Sequence, residues 1–156
     1  MIWKKGDIWF WHKLGNYIVV PTNAGYRSDG ANVMGAGIAK EAATRFSELP
    51  YKYGEYCKKM SPHTVFDSWR LICVPSKRIN LNHPYLSWKN DADYKYVEEG
   101  LTWLDTNVSL IKSVGTQGKQ IYVPLIGAGN GGLDPHEIKH MMDNILQDKI
   151  FIGVEK

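Results

Sequence analysis

The sequence predicts a three-layer α/β/α sandwich in which helices cover both faces of a mixed, largely parallel sheet. Three observations point there. Short apolar runs that read as buried strands alternate with segments of helical periodicity. Two strand-to-helix junctions are rich in glycine, GANVMGAGIAKEAATRF at 30–46 and PLIGAGNGGLDPHEI at 124–138. A length of 156 residues suits one hydrophobic core better than two, which gives a single domain over 1–156.

Taken in order, GDIWFW (6–11) reads as a strand end, and YIVVPTN (17–23) as a buried strand stopped by Pro21. A polar loop follows over 24–33. From Gly35 to Phe46 the residues Ile38, Ala39, Ala42, Ala43 and Phe46 recur at helical spacing. Pro50 redirects the chain into a second helix near 51–60. RLICVPS (70–76) is another buried strand, closed by Pro75, and 78–90 has loop composition. Asn90 or Asp91 caps one long helix carrying Tyr94, Val97, Leu101, Leu104, Val108 and Ile111. A strand at 120–124, the second glycine loop, a helix from Pro135 to Leu146 and a strand at 150–154 complete the pattern. The sequence contains neither an internal repeat nor a low-complexity linker.

Composition narrows the function classes. Hydrophobic content of 44% and charged content of 22% are those of an ordinary globular protein. A net charge of +3 permits contact with a polyanion without requiring it. Cys57 and Cys73 are too few and too far apart for a metal knuckle or a disulfide framework, which points to a reducing cytoplasm. MIWKKGDIWFWHK lacks a cleavable signal pattern, and no apolar run is long enough for a membrane span. The six Trp and nine Tyr are expected mostly in the core or in a pocket wall.

Backbone N–H groups at a glycine-rich helix mouth attract anions. Two such mouths imply a ligand with more than one phosphate held between two loops. Gly127, Gly129 and Gly132 satisfy GxGxxG, yet a dinucleotide-binding domain needs a ribose-binding acid about 20 residues on and further βα units. Only a short stretch follows here, so a phosphate loop outside that fold is preferred. His136, Glu137 and His140 spell HEIKH, formally a zinc-protease motif. No third ligand stands at a suitable distance downstream, and Pro135 sets His136 at a helix mouth. The match is read as chance. Asp7 either turns the chain at a strand edge or accepts a hydrogen bond from an amino group such as adenine's. Asn23 is either a turn former or a polar group aimed into a cleft at the carboxyl ends of the strands. Lys77 stands in the same kind of place, where a solvated charge is the ordinary alternative to chemistry.

Together, GDI at 6–8, the strand ending in Asn23, VMGAGIAKEAATRF at 33–46, VPSK at 74–77, YVEEGL at 96–101 and PLIGAGNGGLD at 124–134 resemble the macro domain family. The resemblance runs from about residue 6 to 153. MGAGIA and GAGNGGL in this order and separation are its specific part. Within the family the chain is similar to the branch holding the terminal ADP-ribose protein glycohydrolase and an antitoxin that removes ADP-ribose from DNA. It is similar also to single-domain macro proteins of large tailed bacteriophages, an origin that would place it in the host cytoplasm.

The resemblance implies an enzyme that binds ADP-ribose and hydrolyses ADP-ribosyl linkages on protein or nucleic acid. Its alternatives are a reader without turnover and a phosphatase acting on ADP-ribose 1''-phosphate. Asp7 and Ile8 would hold the adenine, Asn23 or Asn32 the distal ribose. Val33, Met34, Gly35, Ala36, Gly37 and Ile38 would hold the distal ribose and diphosphate. Gly127, Ala128, Gly129, Asn130, Gly131, Gly132 and Leu133 would close over the diphosphate from the other side. Lys77 and Asn23 would be catalytic, with Lys77 attacking the anomeric carbon of the distal ribose. The human glycohydrolase has an acidic residue in the second loop where this chain has Gly131, and Asp134 lies a few residues too late to replace it. No cofactor or metal is implied, and the protein is expected to be a monomer away from membranes.

Overall fold

In the computed structural model, which describes residues 1–115 and 118–156, the sheet has six strands in the order β1-β6-β5-β2-β4-β3. These are β1 (Ile2–Lys5), β2 (Tyr17–Asn23), β3 (Thr64–Phe66), β4 (Leu71–Lys77), β5 (Ile121–Pro124) and β6 (Phe151–Glu155). All pairings are parallel except β3 with β4. The helices are α1 (Ile8–Lys13), α2 (Gly37–Arg45), α3 (Leu49–Lys58), α4 (Tyr94–Thr106), α5 (Val108–Val114) and α6 (Pro135–Ile145).

Alternation along the strands divides the core in two. Ile18 and Val20 of β2, Leu71 and Cys73 of β4, and Tyr122 of β5 point to one face, packed against Trp9 of α1, Ala42 of α2 and Leu49, Tyr53 and Cys57 of α3. Tyr17, Val19, Ile72, Val74, Ile121 and Val123 point to the other, against Val97, Leu101 and Leu104 of α4, Ile111 of α5 and Ile138 and Met142 of α6. Strands covered on both faces explain why the runs at 17–20 and 71–74 are continuously apolar. Gly100 lets α4 lie directly on β4, since an added Cβ would meet the Val74 side chain. Among the described residues no helix is long and apolar enough to cross a membrane.

Several boundaries differ from the sequence reading. The segment after Gly6 is helix α1, not a strand end, because the Asp7 carboxylate caps it by accepting from Trp9 N at 3.0 Å. Pro21 and Pro75 lie inside β2 and β4 and end neither strand. β2 pairs with β5 only at Tyr17 and Ile18, so at Pro21 it has a single neighbour, where a missing N–H is tolerated. α2 begins at Gly37, two positions later than expected, while α3 begins earlier, with Pro50 in its first turn. The cap of α4 is Asp93, which accepts from Lys95 N at 2.8 Å, not Asn90 or Asp91. The expected long helix is two helices broken at Asn107, whose side-chain amide donates to Trp103 O at 2.8 Å and competes with the backbone ladder. Within the 78–90 loop, residues Pro84–Lys89 form a 3₁₀ helix. The short strands β1 and β3 have no counterpart in the reading.

Candidate active-site cleft

A cleft of about 720 Å³ opens at the carboxyl ends of the parallel strands, where open α/β sheets place their ligands. Its floor is Thr22 and Asn23 of β2, Ser76 and Lys77 of β4, Pro124 of β5 and Val154 and Glu155 of β6. One wall is the first glycine loop with the start of α2, and the opposite wall is the second glycine loop. Asp7 and Ile8 close one end, and Trp88 stands near Lys77 at the other.

A register irregularity between Thr22 and Asn23 sets Asn23 opposite Lys77 on the paired strands. The Asn23 side chain is buried and makes three hydrogen bonds, one of them accepted from Asn32 Nδ2 at 3.1 Å. The Asn23 amide donates to Val33 O at 2.8 Å, and its oxygen accepts from Gly25 N at 2.9 Å. Asn23 therefore pins both ends of the loop that leads to the first glycine tract. Asn32 lies behind it, off the cleft, donating to Asn23 O at 2.9 Å and to Gly25 O at 2.8 Å. The two asparagines thus divide the work: Asn23 borders the cleft and Asn32 holds Asn23.

Lys77 is half-buried, and its Nζ donates to the backbone carbonyl of Trp88 at 2.9 Å. Burial holds the amine below the ordinary lysine range, and the Asp91 carboxylate pushes the other way. Arg78, its neighbour, is exposed and paired with Asp93 outside the cleft.

The first loop delivers Val33, Gly35, Ala36, Gly37 and Ile38 to the cleft, while Met34 turns into the core beneath α2. Ala36 is the N-cap of α2 and provides no side-chain hydrogen bond. The amides of Gly37, Ile38 and Ala39 thus have no protein acceptor among the described residues, which leaves the helix mouth open to an anion. Gly37 has φ +56°, and a Cβ there would lie 3.3 Å from Asn130 Nδ2 of the opposite loop.

From the second loop Gly127, Ala128, Gly129, Asn130 and Gly131 line the cleft, and Gly132 and Leu133 do not. The expectation of a second open helix mouth is corrected. Asp134 caps α6 by accepting from His136 N at 2.9 Å, and Pro135 has no N–H to offer. What this loop can present is its own amides at Gly129, Asn130 and Gly131, which have no protein acceptor among the described residues. Gly131 also explains the lack of an acid there. A Cβ at this position would lie 2.5 Å from both Ala92 Cβ and Gly127 O, so the residues before α4 fill the space a side chain needs.

His136, Glu137 and His140 are exposed on α6, and His140 Nε2 pairs with the Asn144 amide at 3.0 Å. No cluster of three metal-ligating side chains occurs among the described residues. The sequence reading missed Trp88, Glu41, Glu155 and Lys156 as lining residues. A tryptophan within the otherwise loop-like stretch 78–90 was the one available signal.

No protein-family profile matches the chain. A curated relative, a DNA ADP-ribosyl glycohydrolase of Thermus aquaticus, is 27% identical over 139 residues, covering 85% of this chain and 36% of the relative. The chain thus spans about a third of that protein's length. Among solved structures, the macrodomain of Thermus aquaticus DarG superposes with a TM-score of 0.72 at 23% identity, over 99% of this chain and 97% of that one. Thermosipho africanus DarTG in complex with ADP-ribose gives 0.73 at 22% identity, over 98% of this chain and 41% of that one. The macrodomain of Mycobacterium tuberculosis DarG gives 0.71 at 21% identity, over 99% and 97%. These superpositions, over nearly the whole chain, show that it has the macrodomain fold and is similar to macrodomains of the DarG type.

Proposed function

We propose that this chain binds ADP-ribose in the cleft and hydrolyses an ADP-ribosyl linkage, with Lys77 as nucleophile. The observation that carries the reading is a half-buried lysine amine at the end of β4, opposite Asn23 and beside two loops with unpaired amides. The ADP-ribose bound by the Thermosipho relative and the activity named for the Thermus relative support it. Asp7 and Ile8 would take the adenine, the α2 mouth and the amides of Gly129 to Gly131 the diphosphate, and Asn23 the distal ribose.

The chemistry then follows from the lysine. Burial favours the neutral amine, whose lone pair attacks the anomeric carbon as the bond from that carbon to the acceptor breaks. A proton from the newly bonded nitrogen goes to the departing acceptor. Water next cleaves the carbon–nitrogen bond to Lys77, releasing ADP-ribose and restoring the amine.

The test presents purified protein with ADP-ribosylated DNA, ADP-ribosylated protein and ADP-ribose 1''-phosphate side by side. Release of ADP-ribose from the first is expected, by analogy with the Thermus relative. Lys77→Ala should fall to background turnover while calorimetry still registers ADP-ribose, because the amine acts chiefly in the transition state. Full turnover by Lys77→Ala removes the nucleophile. No turnover by wild type on any of the three leaves a binding module.

A further inference from the structure

We propose that Trp88 is a positioning residue for Lys77: its backbone carbonyl aims the amine, and its indole, wedged over Gly35, fixes that carbonyl. The inference rests on the reading of Lys77 as the reacting group.

Lys77 Nζ donates to Trp88 O at 2.9 Å. A neutral amine that donates one N–H to a fixed acceptor has its lone pair held in a defined direction, and that alignment is what nucleophilic attack needs. The carbonyl can serve only if the 3₁₀ helix Pro84–Lys89 is held still, and two contacts hold it. At one end the indole covers the first glycine loop, so closely that a Cβ on Gly35 would lie 3.2 Å from Trp88 Cε3. Immediately before it, the fully buried Ser87 ties the helix back to its start, its hydroxyl donating to Pro84 O at 2.7 Å and accepting from Asn80 N at 2.8 Å. A Cβ on Gly25 would strike both Pro84 O and Ser87 Oγ, so the strap is seated on the loop that Asn23 pins. Two glycines, Gly25 and Gly35, leave the space into which the strap fits, and Trp88 joins it to the amine.

The groups around the amine are few. Asp91, in the connection before α4, is the charged group that acts on it, Lys89 Nζ lies 5.5 Å from the centre of the Trp88 ring, Asn23 stands opposite in the strand register, and Arg78 is turned away to Asp93. Removing the indole opens this corner to water and frees the carbonyl, so the amine becomes easier to protonate and less well aimed.

The experiment needs no turnover for its first arm. Protein carrying [ε-¹³C]lysine is titrated by NMR, with the Lys77 signal identified by its absence in Lys77→Arg. In wild type, Lys77 should titrate below the ordinary lysine range. In Trp88→Ala its midpoint should move up, and Trp88→Phe, which can still cover Gly35, should stay near wild type. Ser87→Ala, which loosens the strap without touching the cleft wall, should shift in the same direction by less. The second arm measures hydrolysis. Trp88→Ala should lose roughly 10- to 100-fold in kcat with ADP-ribose affinity nearly kept, Trp88→Phe should recover most of the rate, and Leu81→Ala on the exposed part of the connection should match wild type. An unchanged Lys77 midpoint in both Trp88→Ala and Ser87→Ala overturns the proposal. A loss of ADP-ribose affinity equal to the loss in kcat overturns it too, since the indole would then be only a binding wall. If wild type hydrolyses nothing, the enzymatic reading fails by itself and the titration still decides the role of Trp88.

Discussion

The first glycine loop runs into an open helix mouth, whereas the second closes on itself before its helix begins. On the first, Ala36 gives the opening turn of α2 no side-chain acceptor. On the second, Leu133 N donates to Gly127 O at 3.0 Å, Gly132 N to Gly129 O at 3.2 Å, and Asp134 caps α6. Similar glycine content therefore serves different ends. In the first loop glycine and alanine keep a positive helix end bare. In the second, Gly127 and Gly132 supply φ of +80°, and Gly131 makes room for Ala92.

The largest effect that would break this contrast lies at Gly131. Gly131→Asp introduces an acid into the second loop but drives a Cβ into Ala92 and the Gly127 carbonyl. Overpacking of this kind costs roughly 1–3 kcal/mol. Thermal melting should show that loss, and ADP-ribose binding by calorimetry should vanish. A stable variant that binds normally would mean that the loop has slack, against the geometry described.

Next in size is Ala36→Asp, which tests the open mouth. Ala36 has the extended backbone of an N-cap, so the new carboxylate can accept from the α2 amides and should raise stability by roughly 0.5–2 kcal/mol. The same carboxylate competes with the diphosphate for those amides and repels it. Loss of a hydrogen bond to a charged group is worth about 1.5–3 kcal/mol, so affinity should fall roughly 10- to 100-fold. Higher stability together with weaker binding is the signature; higher stability with unchanged binding would take the diphosphate away from α2.

Asp134→Ala is the mirror experiment and should separate the properties in the opposite way. The α6 cap is lost at a cost of about 1 kcal/mol, yet ADP-ribose affinity should hold, because the capped mouth offers the ligand nothing. A parallel drop in affinity would show that the cap shapes the loop as well as the helix.

The contrast also marks what could be read from sequence. Layers, the buried strands β2 and β4, both glycine tracts and the strand-end placement of Asn23 and Lys77 follow from periodicity and composition, which are local. Whether a glycine-rich mouth is open or capped hangs on one neighbouring residue, Ala36 or Asp134, and reading both mouths as open overlooked that an aspartate followed by Pro135 is itself a capping pattern. Other features had no local signal. Gly131 is small because of Ala92, about 40 positions away in sequence and packed against it. The division between Asn23 and Asn32 depends on a loop folding back over Gly25, and the setting of Trp88 depends on Gly35 and Lys77 from other elements.

The smallest expected effect, at Gly129, sharpens the comparison most cleanly. Gly129 lines the cleft, has no left-handed φ, and a Cβ there would meet no protein atom within 4 Å. Gly129→Ala should therefore keep its melting temperature, within the roughly ±0.5 kcal/mol usual for unconstrained positions. Since the protein leaves that space empty, any loss of ADP-ribose affinity in Gly129→Ala reports the ligand itself rather than a disturbed loop. A several-fold loss without destabilisation places the diphosphate against the second loop. Unchanged affinity in Gly129→Ala, set beside a loss in Ala36→Asp, would assign the diphosphate to the first loop and reduce the second to a rim.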